Sequence, residues 1–197
     1  MRPNVCEFLR ACDEKLREDL SPHQRRMMTV YKQHASLEIC GRWQEIFDPR
    51  LTVENPSYVF AGPNRYLTLN TAATIRRFYH SIAAAKSSVR FLEDEEIYLT
   101  DSGFMSEALY RIYLPGTTAK LYGHDVLETD GYFVETRWAI VNWRFDADAR
   151  LVGERIYPAP TADLEQVDEK QFWTTDEASV ILHDEIETRW IELGAST

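Results

Sequence analysis

The sequence predicts an α+β fold in which N-terminal helices pack on a curved antiparallel sheet and enclose a pocket, a cone in outline. Three observations carry this reading. Amphipathic helical patterns come first, as far as Ala85. Alternating apolar and polar runs then fill Val89 to Pro158, and short Gly- and Asp-containing turns separate those runs at hairpin spacing. The hollow of such a cone would be lined by aromatics with a few His, Arg and Glu side chains, which suits a hydrophobic small molecule.

Residues 1–20 form a charged amphipathic helix, with Phe8, Leu9, Cys12, Leu16 and Leu20 at helical spacing. Ser21-Pro22 is an N-cap followed by Pro at the first helical position, so a second helix starts there. Its stripe is Met27, Tyr31, His34, Leu37 and Glu38, continued past Gly41 by Trp43, Ile46 and Phe47, and Asp48-Pro49 stops it. Leu51–Tyr58 alternates as a strand, placed at an edge by Pro56, and Gly62-Pro63-Asn64 is a loop. Thr71 caps a helix over Ala72–Ala85 with the stripe Ile75, Phe78, Tyr79 and Ile82.

Strands follow at Val89–Thr100 and Phe104–Leu114 around Asp101-Ser102-Gly103, where Gly suits a positive φ. A short strand is expected at Ala119–Gly123. Tyr132–Phe145 and Leu151–Tyr157 form a second hairpin, and Pro158 with Pro160 ends the sheet. The acidic remainder carries Val180, Ile181, Leu182, Ile186, Trp190 and Ile191 as a last helix. The domain organisation is therefore an N-terminal helical extension (1–20), one α+β domain (21–160) and an acidic C-terminal helical extension (161–197).

Bulk properties narrow the function. The chain has 197 residues, 44% hydrophobic and 12% aromatic, enough for one domain with a sizeable core. A net charge of −10 argues against a nucleic-acid partner, because phosphate contacts need clustered Lys and Arg. Three cysteines without CxxC spacing predict neither a disulfide framework nor a structural zinc site. The N-terminus lacks an apolar signal core and no long apolar run occurs, so no membrane partner and a cytoplasmic location are expected. The sequence contains no GxGxxG, P-loop, GxSxG or HExxH pattern, which predicts no cofactor and no metal site.

Histidine titrates near neutral pH, so the histidines are the first candidates for proton transfer. His34 falls beside Tyr31 and one turn before Glu38, either as a base oriented by a carboxylate or as a packed core histidine. His124 follows Lys120 and Tyr122 on one face of an expected strand end, or else is a loop histidine. His80 reads as a helix-end residue, and His23 and His183 as solvent-leaning. Glu135 and Arg137 share a strand face with Val141, Trp143 and Phe145, as pocket groups or as a structural ion pair. Arg90 and Arg155 sit among apolar strand residues, where a guanidinium can hold a carboxylate, phenolate or enolate; Arg155 can equally pair with a Glu across the sheet. Glu54 and Asn55 lie on opposite faces of the edge strand. Tyr58, Tyr79, Tyr110 and Tyr157 either donate to a developing oxyanion or pack. The catalytic set expected is His34, His124, Arg137, Arg90 and Lys120. The substrate-binding set is Tyr31, Asn55, Tyr58, Tyr79, Tyr122, Glu135, Trp143 and Tyr157.

The run from Tyr31 through Trp43-Gln-Glu-Ile-Phe-Asp-Pro-Arg-Leu-Thr-Val-Glu-Asn-Pro56, then Ala73–Tyr79, Trp143–Leu151 and Tyr157, resembles the NTF2-like superfamily in its SnoaL-like branch. The resemblance covers roughly residues 25–158 and implies a cone-shaped fold and small homo-oligomers, with dimers packed sheet to sheet. The superfamily holds dehydratases, isomerases, cyclases, epoxide hydrolases, lyases and non-catalytic subunits. Compared with scytalone dehydratases, Arg90 stands where one sheet histidine would be, and His34 and Ser36 stand where a helical Tyr and Asp would be. The carboxylate that commonly follows the last strand's aromatic in SnoaL-like cyclases is replaced by Pro158. The function expected is a cofactor-independent lyase, a dehydratase or a formaldehyde-releasing C–C lyase, acting by acid–base catalysis on a hydrophobic, aromatic small molecule. The alternatives are an isomerase or polyketide-type cyclase, a non-catalytic subunit like the β subunit of ring-hydroxylating dioxygenases, or a ligand-binding module without turnover.

Overall fold

Side-chain alternation along one long strand organises the molecule. A computed structural model describes residues 2–62, 65–127 and 129–194; the expected loop residues Pro63 and Asn64 lie outside them. After a 3-10 turn at Val5–Glu7 come α1 (Arg10–Leu16), α2 (Pro22–Ile39) and a second 3-10 turn at Trp43–Phe47. Strands β1 (Tyr58–Gly62) and β2 (Arg65–Leu69), helix α3 (Ala72–Ala84) and strands β3 (Arg90–Thr100) and β4 (Gly103–Pro115) follow. The chain continues through α4 (Gly116–Leu121), β5 (Tyr132–Phe145), β6 (Leu151–Pro158), β7 (Asp163–Val167) and α5 (Thr175–Gly194).

The local chemistry explains the helix starts. Ser21 Oγ accepts from the Gln24 amide at 3.2 Å while the Gln24 side chain accepts from the Ser21 amide at 3.1 Å, a capping box ahead of Pro22. Thr71 Oγ1 accepts from the Thr74 amide at 3.2 Å and starts α3.

The sheet has the order β2-β1-β6-β5-β4-β3. It is mixed: β1 runs parallel to β6, with Val59 opposite Arg155, and the remaining ladders are antiparallel. Strand β5 pairs with β4 from Tyr132 to Arg144, and its other edge is shared. Thr136 to Tyr132 take β7, and Ala139 to Phe145 take β6. Helices α2 and α3 close the concave side. Helix α5 packs on the outside of α2, where Arg189 donates to Gln33 Oε1 at 2.9 Å and to Ser36 Oγ at 2.7 Å.

The α+β class and the order of most elements agree with the sequence reading, and four segments differ from it. Leu51–Tyr58 is not a strand. Its backbone makes one bridge, Thr52 to Leu151, plus bonds to the start of β6, because Pro56 removes a ladder donor; the regular strand begins only at Tyr58. Ala119–Gly123 is the end of a short helix and its exit turn, a segment too brief for period to separate helix from strand. The sheet does not end at Pro158, since Asp163–Val167 pairs with β5. The N-terminal helix is only seven residues long, and Phe8 and Leu9 before it face the concave cavity.

Gly153 shows how tightly the irregular segment is held. Its φ is +155°, and a Cβ there would sit 1.9 Å from the Ser57 carbonyl oxygen. Gly153→Ala is expected to lower stability by more than about 1 kcal/mol, because both the dihedral and the close approach are lost. The check is the midpoint of urea unfolding; an unchanged midpoint would show that β6 and residues 52–57 separate at little cost.

Candidate functional site

The register of the sheet delivers one set of side chains to its concave side. On β5 these are Glu135, Arg137, Ala139, Val141 and Trp143, the odd-numbered positions. Opposite them on β4 stand Ile112 and Tyr110, and on β6 Ile156 and Glu154, the last directly across from Trp143. Strand β3 supplies Arg90 and Leu92, and α2 adds Tyr31, Ala35, Glu38 and Ile39 at helical spacing. With Phe60, Phe78, Tyr79, Leu121 and Tyr122 these groups enclose a cavity of about 560 Å³, which suits one small ligand.

A bulge in β3 between Glu93 and Glu96 changes which residues face inward. Asp94 takes φ +50°, a conformation Asp tolerates better than most residues. Before the bulge Arg90 and Leu92 point to the cavity. At the bulge Glu95 turns inside, where its Oε1 accepts from Tyr31 Oη at 2.9 Å and from Ser106 Oγ at 2.5 Å, and its Oε2 is buried without a partner. Burial raises the pKa of Glu95, and the Ser106 and Tyr31 bonds pull it back.

The polar floor of the cavity is built from Glu38, Arg90 and Glu154. Arg90 Nη2 lies 3.0 Å from Glu38 Oε1. Burial works against the Arg90 charge, and Glu38, Tyr110, Tyr79 and Glu154 together more than restore it. Glu38 is raised by burial and held back by Arg90. Glu154 has no such cation of its own. Burial and then the Glu38 carboxylate push it up to about 8, against the weaker effects of Tyr58 and Arg90, and its Oε1 is buried without a hydrogen-bond partner.

Behind Glu154 runs a buried chain of polar groups. His34 Nε2 lies 2.9 Å from Tyr79 Oη, and Tyr79 donates to Tyr58 Oη at 3.3 Å. Tyr79 has thus used its proton, so His34 carries hydrogen on Nε2 and leaves Nδ1 as the acceptor, which is buried without a partner. The Tyr58 hydroxyl in turn addresses the Glu154 carboxyl. Burial and Arg90 lower His34 to about 3. His34 Nε2 also approaches Glu154 Oε1 at 3.5 Å, an ion-pair distance; the two shifts leave both groups neutral near pH 7, so this contact is not an ion pair there.

At the mouth a second cluster forms. His124 Nε2 lies 2.5 Å from Glu135 Oε2, and Arg137 Nε lies 3.2 Å from Glu135 Oε1. Tyr122 Oη shares a 2.8 Å hydrogen bond with Ser87 Oγ, and a small apolar cluster of Leu114, Ala119, Val126 and Phe133 anchors this loop.

The expected site residues therefore divide. Arg90, Arg137, Tyr31, Tyr79, Tyr122, Glu135 and Trp143 line the cavity. His34 and Tyr58 are buried behind its wall, and His124 stands behind Glu135. Lys120, Asn55 and Tyr157 do not line it. Lys120 is exposed on α4, where strand alternation does not apply, and Asn55 is exposed in the irregular segment before β1. Tyr157 sits on the outer face of β6, opposite in parity to Glu154 and Ile156. His34 does not pair with Glu38, whose carboxylate turns to Arg90. Sequence reasoning missed Glu154 as a cavity group and Glu95 as the acceptor that holds Tyr31. The only signal for Glu154 was a carboxylate one place from Gly153 and two from Ile156 in an apolar strand.

Among the described residues, no group of three or more His, Cys, Asp and Glu side chains could hold a metal ion, and no helix is long and apolar enough to cross a membrane. No family model and no curated protein matches the sequence. Solved structures match in fold. A candidate SnoaL-like polyketide cyclase from Shewanella putrefaciens CN-32 superposes with a TM-score of 0.53 at 9% identity, over 80% of this chain and 90% of that one. A second from Jannaschia sp. CCS1 gives 0.51 at 10% identity, over 72% and 90%. An NTF2-like protein from Anabaena variabilis ATCC 29413 gives 0.50 at 10% identity, over 72% and 96%. The chain shares the fold of these structures, helices packed on a curved sheet with the cavity on its concave side.

The raised Glu154 makes folding pH-dependent. Between the ordinary carboxylate range and about 8 the folded carboxyl keeps its proton while the unfolded one releases it, so stability falls as pH rises through that window. Below the ordinary carboxylate range both states are protonated and the penalty vanishes. Glu154→Gln is expected to gain stability relative to the parent between about pH 5 and about pH 9, by on the order of a few kcal/mol. Parallel denaturant titrations at both pH values check this; a constant difference would show that Glu154 ionises without penalty.

Proposed function

We propose that the chain is an enzyme that works by acid–base catalysis on a hydrophobic, aromatic-sized small molecule, without a cofactor, and that it eliminates a small neutral fragment. The observation that carries this reading is Glu154: a carboxyl in the wall of an apolar cavity, pushed up to about 8, with one oxygen unpartnered. Glu38 is its opposite, a carboxylate held 3.0 Å from Arg90. Two carboxyl groups in different environments form an acid and a base of one site.

In an elimination, the Glu38 carboxylate takes the proton from the carbon beside a carbonyl. Arg90 and Tyr110 stabilise the enolate oxygen that develops. The protonated Glu154 then gives its proton to the leaving hydroxyl, which departs as water. Proton return from Glu38 to Glu154 through solvent restores the starting state. In the formaldehyde-releasing variant the base takes a hydroxyl proton, the C–C bond breaks to release formaldehyde, the electron pair is held as the same enolate, and the protonated Glu38 returns its proton to the enolate carbon. His34, Tyr79 and Tyr58 orient the acid from behind.

A second reading, ring closure or isomerisation with the same groups, is favoured by the fold likeness to candidate polyketide cyclases. Both readings begin with proton abstraction, and the products separate them. With aryl 1,3-diols, β-hydroxy ketones and polycyclic phenols followed by mass spectrometry, loss of water or of formaldehyde marks the lyase. Rearrangement at constant mass marks the cyclase or isomerase, and saturable binding with no product marks a binding module. Glu154→Gln and Glu38→Gln are each expected to lower kcat/KM by about 100-fold or more with the fold intact. The rate of the parent should fall as pH rises through about 8, where the acid loses its proton. Full turnover by Glu154→Gln would sink the assignment.

The location proposed is the cytoplasm and the assembly proposed is a homodimer. The outer face of the sheet exposes Tyr98, Met105, Trp138 and Tyr157. Exposed Glu107 and Arg155 lie on adjoining rungs of that face, so a two-fold related copy would meet apolar groups with apolar groups and Glu107 with Arg155. Sedimentation equilibrium should report a dimer that Trp138→Asp converts to monomer; a monomeric parent protein overturns this.

A further inference from the structure

We propose that the ligand is an anion: an apolar, aryl-sized body carrying one carboxylate, seated on Arg137 at the mouth of the cavity. This deepens the reading above by naming the substrate class, and it rests on that reading only for which end of the ligand reacts.

Arg137 is a cavity residue whose side chain keeps 31% of its exposure. Its charged partner among the described residues is Glu135, reached through Nε at 3.2 Å, and Nε makes no hydrogen bond there. No hydrogen bond engages its two terminal amino groups among the described residues, and they are not buried. The Nη1–Nη2 edge of a guanidinium matches a planar carboxylate with two parallel donors. Glu135, for its part, is fixed from the other side by His124 at 2.5 Å. It braces the guanidinium from behind while its other oxygen is taken by His124.

The rest of the cavity does not compete for an anion. Arg90, the other cation in the wall, already faces Glu38 at 3.0 Å, and Glu154 is neutral near pH 7. Between the two arginines the lining is Ile112, Tyr110 and Ala139, apolar or aromatic. Arg90 is opposite Ile112, and Ile112 is opposite Glu135. Arg137 lies two residues beyond Glu135, so the two arginines stand two strands apart and two residues offset, roughly 12 Å between backbones, a gap that one aryl acid can span. The chain's overall charge of −10 opposes an approaching anion, so recognition has to come from this local contact.

The test is equilibrium binding by titration calorimetry with 2-naphthoate and its neutral counterpart 2-naphthylmethanol. The parent protein is expected to bind naphthoate about tenfold tighter than the alcohol, or better. Arg137→Gln should erase that preference while its affinity for the alcohol stays within about twofold, and Arg137→Lys should keep part of it, since a point charge replaces the fork. Circular dichroism and thermal midpoints establish that the variants are folded; if Arg137→Gln is not, Arg137→Lys and the parent's own preference still decide. Equal affinity of the parent for both ligands overturns the proposal, as does equal weakening of both by Arg137→Gln, or no binding of either up to the solubility limit. Glu154→Gln, run alongside, separates this from the catalytic reading. It should bind naphthoate normally while losing turnover, and retained turnover would sink the acid–base assignment while leaving the measured preference to judge the anion site.

Discussion

Because side chains alternate along a strand, the fourteen residues of β5 send every second side chain to one side, and its two edges fix what stands beside each of them. Glu135 and Arg137 at one end and Val141 and Trp143 at the other belong to one row, and slipping β5 by one residue would put all of them outside. The register with β4 and β6 is therefore not separable from the chemistry. Tyr110 stands opposite Arg137 and Glu154 opposite Trp143 because the ladders run unbroken between those pairs. Where the parity changes, it does so at bulges, and a carboxylate is turned inward at each: Glu95 in β3, and Glu154 just past the irregularity opposite Arg144 and Phe145.

Glu38, Arg90 and Glu154 share the cavity floor and only Arg90 among them is a cation. Glu38 takes the guanidinium of Arg90, so Glu154 is left to be neutral. A buried carboxyl without a cation would otherwise carry the full cost of desolvation. The neighbours are consistent with a neutral acid. Tyr58 and Tyr79 are raised well above the usual phenol range by burial, and His34 is lowered to about 3, so at neutral pH the whole chain of groups behind Glu154 carries no net charge. An acid kept protonated by its surroundings can give a proton at neutral pH, and surface carboxylates cannot.

Strong periodic signals were legible in the sequence, and parity through irregular backbone was not. Ser21 and Thr71 announced their helices through capping chemistry that acts within four residues, and Tyr132–Phe145 was bounded as observed because its apolar alternation is long. Arg137, Glu135 and Trp143 were found by assuming that alternation, and Tyr79 by the helical stripe of α3. The same assumption failed on β6. There Leu151 and Glu154 are both buried although their parity differs, since the strand is irregular between them, and attention fell on Arg155 and Tyr157 of the outer face. The pairing of Glu38 with Arg90 joins residues on a helix and a distant strand, so no local pattern could reveal it; the same holds for Phe8 and Leu9, whose place in the cavity depends on where the N-terminal segment crosses β3.

The acidic C-terminal helix is part of how the site is held. Helix α2 presents Tyr31, Ala35, Glu38 and Ile39 to the cavity, and Gln33 and Ser36 to α5. Arg189 binds both of the latter, and Gln33 returns a bond to the Ile186 carbonyl at 3.2 Å. These are buried, directional contacts, so they resist rotation of α2 about its own axis more than apolar packing would. Rotation is the motion that would separate Glu38 from Arg90 and move Tyr31 off Glu95. A helix that does not line the cavity thereby helps to hold Glu38 against Arg90 and Tyr31 against Glu95.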